Sequence, residues 1–257
     1  LKAVAARGDG MSDRTDATEP VPLLRWRSSG ILLHPTSFPS PGGIGTIGEE
    51  AHRFVEWLAA AEQSCWQILP LVDADEGGSP YNALSAMAGN PLLIDLRGLV
   101  AEGLLTRAEL EAAQEQAQDG DVDFARVNSR KSTHLERAFT RFAYDPDHPW
   151  SESVADYRRE HASWIEDYAL FRALRPRHGA PWTSWPEPLR RRKADAIHEA
   201  RESHAREIDL AVFLQFVFDQ QWRSLRSHAA ERGIAIIGDI PIFVAHDSAD
   251  VWANQQL

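Results

Sequence analysis

A carboxylate within an apolar run is the first residue of this sequence that could do chemistry. The run from 234 to 244 is β-branched and apolar, which is typical of a strand buried on both faces, and Asp239 interrupts it between Gly238 and Pro241. Because an unpaired carboxylate is costly to bury, and because α/β proteins bind ligands at the carboxyl ends of their strands, we predict that Asp239 faces a substrate. A capped turn or an ion pair with an arginine is the alternative.

A second polar group follows an earlier apolar run. The run from 66 to 71 reads as a buried strand, and the loop from 72 to 82 comes directly after it. Tyr81 follows a Ser79-Pro80 turn, which holds its ring and presents its hydroxyl. If both runs are parallel strands of one sheet, this loop lies on the same side as Asp239. Tyr81 could instead be a surface aromatic residue packed on its own loop.

Acidic residues near these strands do not have the spacing that a metal site needs. Asp73 and Asp75 resemble the start of a calcium loop, but Leu84 stands where that loop has its last carboxylate. The stretch that begins at His246 contains two aspartates and lacks a further set of spaced ligands. The sequence therefore predicts no metal site.

The composition limits the classes of partner. The chain has 257 residues, of which 43% are hydrophobic and 25% charged, as in an ordinary globular protein. Its formal net charge of -11 argues against nucleic acid or an anionic membrane as a partner, since both need a basic surface. A neutral sugar is compatible with this charge. The nine tryptophans can pack a core or stack on sugar rings, and their number favours core packing.

The single cysteine and the N-terminus bear on the compartment. Cys65 has no partner for an internal disulfide, which fits a reducing cytoplasm. No apolar run approaches the length of a membrane span, and residues 1–24 lack the core of a signal peptide. We expect a cytoplasmic protein whose residues 1–24 form a disordered tail.

The order of elements indicates parallel strands. A strand at 30–33 is followed by a helix that Thr46 and Glu49 would start as a capping box, and then by the strand at 66–71. Strand, helix and strand make a βαβ unit, in which the two strands run parallel. Residues 25–97 are therefore assigned to the first strands and the substrate loop. A short strand or extended piece is expected at 92–96.

A long helical segment separates this unit from the third strand. Thr106 and Glu109 form a second capping box, and helical periodicity follows at 122–143, 154–174 and 206–232. Residues 98–233 are too many for an ordinary crossover and are assigned as a mainly helical insertion. Residues 234–257 hold the third strand and a loop that opens a helix, with Asp247 or Ser248 as N-cap.

Three strands are too few to close a barrel, which needs about eight. We expect the chain to be the front part of a longer protein. A small sheet that is finished in another way is the alternative.

Several motifs together support a family resemblance. The chain resembles 4-α-glucanotransferases, the amylomaltases or disproportionating enzymes of glycoside hydrolase family 77. The resemblance rests on the stretches at 29–37, 66–71, 78–81, 89–96, 221–222, 238–245 and 248–254, in that order, and extends from about residue 27 to the end. The family implies an α/β fold, the N-terminal portion of a (β/α)8 TIM barrel with the helical insertion, and no metal or organic cofactor.

The resemblance also implies a reaction. The family moves α-1,4-linked glucan segments between maltooligosaccharides with retention of configuration, which needs a nucleophilic and an acid/base carboxylate about 5 Å apart. The family's nucleophile lies in an Arg-x-Asp-His stretch, which this sequence does not contain. No catalytic residue is therefore assigned, both carboxylates are expected downstream, and these 257 residues alone are expected to be inactive.

By the same resemblance, Asp239 is a sugar-contacting residue beside the catalytic centre, and Ser79 with Tyr81 forms part of the donor-side binding wall. Many relatives carry a tyrosine where this chain has Glu76, so one stacking contact is expected to be lost.

Two other functions remain open from the sequence. The chain could be a non-catalytic α-glucan-binding protein or pseudoenzyme that ends at Leu257. An unrelated barrel enzyme such as an aldolase would need a lysine at a strand end, and the strands carry none.

Overall fold

The computed structural model describes residues 27–74, 77–114 and 121–257. The tail expected at 1–24 and the departure at Glu76 lie outside these residues. Within them, no helix has the length and apolar character that crossing a membrane requires.

Three short parallel strands form the sheet. Strands β1 (Gly30–Leu32), β2 (Cys65–Gln67) and β3 (Ala235–Ile237) lie side by side in that order. Ile31 pairs with Trp66, and Trp66 pairs with Ile236, so the register is continuous across the sheet. Helix α1 (Glu49–Ala60) connects β1 to β2. The predicted βαβ unit and its parallel direction are therefore confirmed.

The strands are shorter and more exposed than the apolar runs predict. Leu32 in β1 is 56% exposed, and beyond β3 Ile240, Ile242 and Phe243 are 81%, 98% and 73% exposed. The prediction of one buried strand through residue 244 is wrong for these residues. Pro241 has no N–H to donate to a ladder, and in the described part of the chain β3 has a neighbour on one side alone.

Turns and short helices follow β2. A 3-10 turn at Pro91–Leu93 leads into α2 (Leu96–Ala101), and α3 (Arg107–Ala113) comes next. Of the short strand or extended piece expected at 92–96, only Ile94 and Asp95 are extended, because Asn90 caps the turn before them and Asp95 caps α2 after them. The capping box of Thr106 and Glu109 at the start of α3 is confirmed.

Six helices fill most of the described part of the segment between α3 and β3. They are α4 (Phe124–Ala143), α5 (Ser151–Glu160), α6 (Ile165–His178), α7 (Glu187–Arg190), α8 (Ala194–Ser203) and α9 (Ala205–Glu231), and α10 (Ala249–Ala253) follows β3. The predicted helices at 122–143 and 206–232 are confirmed as α4 and α9. The helix expected at 154–174 is two helices, with a turn between His161 and Trp164.

One core joins the sheet and the helices. Its largest fully buried side chains include aromatic residues of β2, α6, α9 and α10 and of the segment before α7: Trp66, Trp185, Trp252, Phe171, Phe213 and Phe216. Trp185 and Trp252 meet edge-on with their ring centroids 5.4 Å apart. The interpretation that tryptophans pack the core is confirmed for these residues.

Asp95 starts two helices at once. Its carboxylate accepts from the N–H of Glu49 at 3.1 Å, at the start of α1, and from the N–H of Arg97 at 2.9 Å, at the start of α2. The capping box expected at Thr46 is wrong, because Gly48 is the N-cap of α1 and has no side chain to accept. A Cβ on Gly48 would lie 1.9 Å from the Asp95 carboxylate, so glycine is required there.

Candidate functional site

A cleft lies where the carboxyl ends of β2 and β3 meet the helical insertion. It encloses about 860 Å³ including its open mouth. The chain after β2 and the Gly238–Asp239 pair after β3 form one side. The other side consists of aromatic and polar side chains of α5, of the turn after it and of α9: Tyr157, His161, Trp164, Phe218, Asp219 and Trp222. Aromatic walls with a few polar groups are typical of sites for small neutral ligands.

Asp239 and Tyr81 meet at this cleft. The Tyr81 hydroxyl donates to the Asp239 carboxylate at 2.8 Å, although the two residues are 158 positions apart. This hydrogen bond raises the pKa of Tyr81 above its ordinary value of 10.0. Both side chains are exposed, and Tyr81 keeps 45% of its surface accessible. The arrangement leaves both side chains accessible to solvent at the same point.

Ser79 lies on the same turn as Tyr81. Its carbonyl accepts from the N–H of Asn82 at 3.0 Å, which closes the turn, and the residue is exposed. The structure therefore brings Tyr81 to Asp239, and Ser79 lies two residues away along the loop.

The loop that carries Tyr81 folds back on itself at its base. Isolated bridges join Val72 to Gly89 and Ala74 to Ala83. The N–H of Asp73 donates to the Ala88 carbonyl at 2.7 Å, and the Asp73 carbonyl accepts from the N–H of Leu84 at 2.8 Å. We call residues 72–74 and 77–90, which the structure describes, the substrate loop, after the role predicted from the sequence.

Asp73 is buried beneath the substrate loop, with 3% of its surface exposed. Its carboxylate accepts from the Tyr168 hydroxyl at 2.8 Å and lies 3.5 Å from Nε of Arg172, both on α6. The sequence suggested Asp73 only as a weak calcium ligand. Its contact with α6 could not be read from local spacing, because the two partners are 95 positions apart.

Two glutamines of α9 bind backbone groups of this region in the same way. Gln215 accepts from the N–H of Gly89 at 2.7 Å and donates to its carbonyl at 2.9 Å. Gln221 accepts from the N–H of Asp95 at 2.7 Å and donates to its carbonyl at 2.9 Å. A side-chain amide that hydrogen-bonds to both the N–H and the carbonyl of one residue takes the place of a neighbouring β-strand. Helix α9 therefore fixes both the end of the substrate loop and the start of α2.

The loop after β3 is held by the insertion. Asp247 accepts from the N–H of Trp182 at 2.7 Å and lies 3.1 Å from Nη2 of Arg175, while Asp250 accepts from the N–H of Ala86 at 2.8 Å. Of the two N-caps predicted for α10, Asp247 and Ser248, the structure has Ser248. In the described parts of the chain, no three His, Cys, Asp or Glu side chains are grouped as ligands of a metal ion.

The comparison with known families decides the relationship. Residues 33–257 match the profile of glycoside hydrolase family 77, which is described as 4-alpha-glucanotransferase. The chain belongs to this family. It is 44% identical over 231 residues to the 4-alpha-glucanotransferase of Thermus thermophilus, and 44% identical over 234 residues to the chloroplastic or amyloplastic one of Arabidopsis thaliana. These alignments cover 90% of this chain, but only 45% and 40% of the two relatives.

Solved structures agree with this assignment. The amylomaltase of Streptococcus agalactiae, determined in complex with acarbose, superposes with a TM-score of 0.85 at 34% identity and covers 90% of this chain and 47% of its own. The amylomaltase of Corynebacterium glutamicum, at 19% identity and a TM-score of 0.66, supports the fold alone. The family 77 chain described here thus has an α/β fold similar to amylomaltase and spans less than half the length of these relatives.

Proposed function

We propose that this family 77 chain forms the donor-side glucan-binding wall of a 4-α-glucanotransferase. The reaction would transfer α-1,4-glucan segments between maltooligosaccharides by a retaining double displacement. The observation that carries the proposal is the contact of Tyr81 with Asp239 at 2.8 Å beside the aromatic cleft. Ser79 on the same turn would contribute a hydroxyl.

The same proposal includes a (β/α)8 barrel and a cytoplasmic location. The three parallel strands would be the first strands of a (β/α)8 barrel, and residues 98–233 its helical insertion. The exposed apolar residues after β3 support this, because an uncovered apolar stretch marks a surface that other chain segments or partners cover. The single cysteine, whose thiol lies 3.4 Å from the Ser29 carbonyl, fits a reducing cytoplasm.

Substitution of Tyr81 tests the proposed site in the full-length protein, by which we mean a chain that spans the whole length of the family 77 relatives. We expect Tyr81→Ala to raise the KM for maltotriose about tenfold, because a contact worth about 1.4 kcal/mol changes an equilibrium constant tenfold. Tyr81→Phe keeps the ring and loses the hydrogen bond to Asp239, so a smaller rise is expected. Glucose released from maltotriose is the measurement.

Tyr144 provides the matched control for this test. It is a tyrosine at the end of α4 with 86% of its surface exposed, so Tyr144→Ala should leave the KM unchanged. A wild-type KM for Tyr81→Ala and for Asp239→Asn alike would contradict the proposed site.

The need of a retaining mechanism for two carboxylates gives a second prediction. Because a retaining mechanism needs two carboxylates about 5 Å apart, and the family's Arg-x-Asp-His stretch is absent, residues 1–257 alone should release no glucose from maltotriose. The full-length protein should release it under the same conditions. Chromatography of the products from both preparations makes the comparison, and longer glucans formed by the 257-residue chain would refute the proposed division of roles.

A further inference from the structure

The substrate loop is anchored to the helical insertion at both ends. At its start, Asp73 contacts Tyr168 and Arg172 of α6. At its other end, Gly89 is bound on both backbone groups by Gln215 of α9. Gln215 also donates to the Tyr168 hydroxyl at 3.3 Å, so the two anchors are one connected network.

Asp73, Tyr168 and Gln215 are buried, and the partly exposed Arg172 places a positive charge beside the Asp73 carboxylate. Burial, and then the nearby Asp73 charge, raise the pKa of Tyr168 well above 10.0, so its hydroxyl keeps the proton that it donates to Asp73. The Asp73 charge in turn raises the pKa of Arg172. A buried carboxylate with a hydroxyl donor and a cationic neighbour holds one geometry, because each alternative leaves a polar group without a partner.

The far end of the loop depends on this base. Tyr81 is exposed and its hydroxyl donates to Asp239, whereas the base of the loop is fixed by side chains of α6 and α9. The bridge between Ala74 and Ala83 links the base of the loop to the chain just after the turn that carries Ser79 and Tyr81. A shift at Asp73 would therefore move the Tyr81 ring relative to Asp239.

We propose that Asp73 is a positioning residue for glucan binding, which acts through Tyr168 and Arg172 by fixing the substrate loop where Tyr81 reaches Asp239. The helical insertion would thereby set the position of Tyr81 in addition to forming one side of the cleft. This inference rests on the proposed function of Tyr81, and the test below separates the two.

The test is a double-mutant cycle in the full-length protein with maltotriose as substrate. Asp73→Ala alone should raise the KM about fivefold and leave kcat unchanged, and Tyr81→Ala should raise the KM about tenfold. Because Asp73 acts through Tyr81, the double variant should show about the tenfold rise of Tyr81→Ala alone. Asp73→Asn keeps an oxygen that accepts from Tyr168 and should restore most of the affinity.

Two further variants keep the test decisive. Tyr168→Phe removes only the hydroxyl from the network and should raise the KM as Asp73→Ala does, so it replaces that variant if Asp73→Ala does not fold. Glu166→Ala breaks an ion pair with Arg158, 2.6 Å long, between α5 and α6 and away from the substrate loop. It should lower the melting temperature and leave the KM unchanged.

The outcomes distinguish this inference from the proposed function. A wild-type KM for Asp73→Ala and Tyr168→Phe, together with a raised KM for Tyr81→Ala, overturns the positioning role alone. Effects of Asp73→Ala and Tyr81→Ala that multiply in the double variant also overturn it, because Asp73 would then act independently of Tyr81. Wild-type KM values for Tyr81→Ala and Asp239→Asn alike show instead that the proposed binding site is wrong.

Discussion

Replacing Asp95 with alanine is expected to lower the free energy of unfolding by about 3 kcal/mol. Two helix caps are lost together, each worth about 1 kcal/mol, and Arg97 loses one of the carboxylates that surround it. In the variant, the guanidinium of Arg97 still pairs with Glu50, whose side chain is 5% exposed, but no longer pairs with residue 95. Urea unfolding of wild type and Asp95→Ala at pH 7 gives the difference.

Asp123→Ala is the matched control for this prediction. Asp123 caps only α4, accepting from the N–H of Arg126 at 3.0 Å at an exposed site, so a loss of about 1 kcal/mol is expected. Equal losses for both variants would contradict the double role of Asp95.

The effect of Asp95 should also depend on pH. Burial raises the pKa of Asp95, but its hydrogen bonds and ion pair with Arg97 outweigh burial and hold the pKa below the ordinary 3.8. A carboxyl whose pKa is lower in the folded state contributes stability above its unfolded pKa and loses it as the pH falls through the folded value. The difference between wild type and Asp95→Ala should therefore be full at pH 7 and shrink below about pH 4.

Gln215→Leu is expected to have an effect of similar size. Gln215 is 1% exposed, and leucine would leave both the N–H and the carbonyl of buried Gly89 without their side-chain partner. Each unsatisfied backbone group costs about 1–3 kcal/mol, so we expect a loss of about 3 kcal/mol in the free energy of unfolding. Thermal and urea unfolding of the full-length variant provide the measurement.

Gln221→Leu tests whether burial sets the size of this loss. Gln221 makes the same pair of hydrogen bonds to Asp95, but it is half-buried, so water can replace part of what is lost. A loss of about 1 kcal/mol is expected. If Gln221→Leu were the more damaging substitution, burial of the amide would not be the controlling factor.

Local patterns were sufficient for the order of strands β1 to β3 and for the two longest helices. The apolar runs at Ile31, Trp66 and Ile236 mark three strands that pair in parallel, and helical periodicity marks α4 and α9 nearly to their ends. The turn between α5 and α6 was missed because its aromatic residues continue the helical spacing. Trp164 is the N-cap of α6 yet still packs against the core. The spacing of apolar residues therefore continues through the turn, although the helix is interrupted there.

Contacts between distant residues limited what could be inferred about the site. Tyr81 and Asp239 were each predicted to lie at strand ends, but their hydrogen bond joins residues 158 positions apart. Asp95 shows the same limit, because the N-terminus of α1 takes its cap from 46 positions away rather than from Thr46 beside it. A capping motif in the sequence cannot indicate that a distant carboxylate already occupies the position.

The pairing of β2 with β3 has a consequence for how the chain folds. Cys65 pairs with Ala235, so neighbouring strands are separated by about 170 residues, and closing such a loop costs about 2.5 kcal/mol more than closing one of about 10 residues. Helices α6 and α9 pack closely and can form first from more local contacts. Their docking would bring the start of β3 to the edge of β2, so we expect completion of the sheet to follow assembly of the insertion.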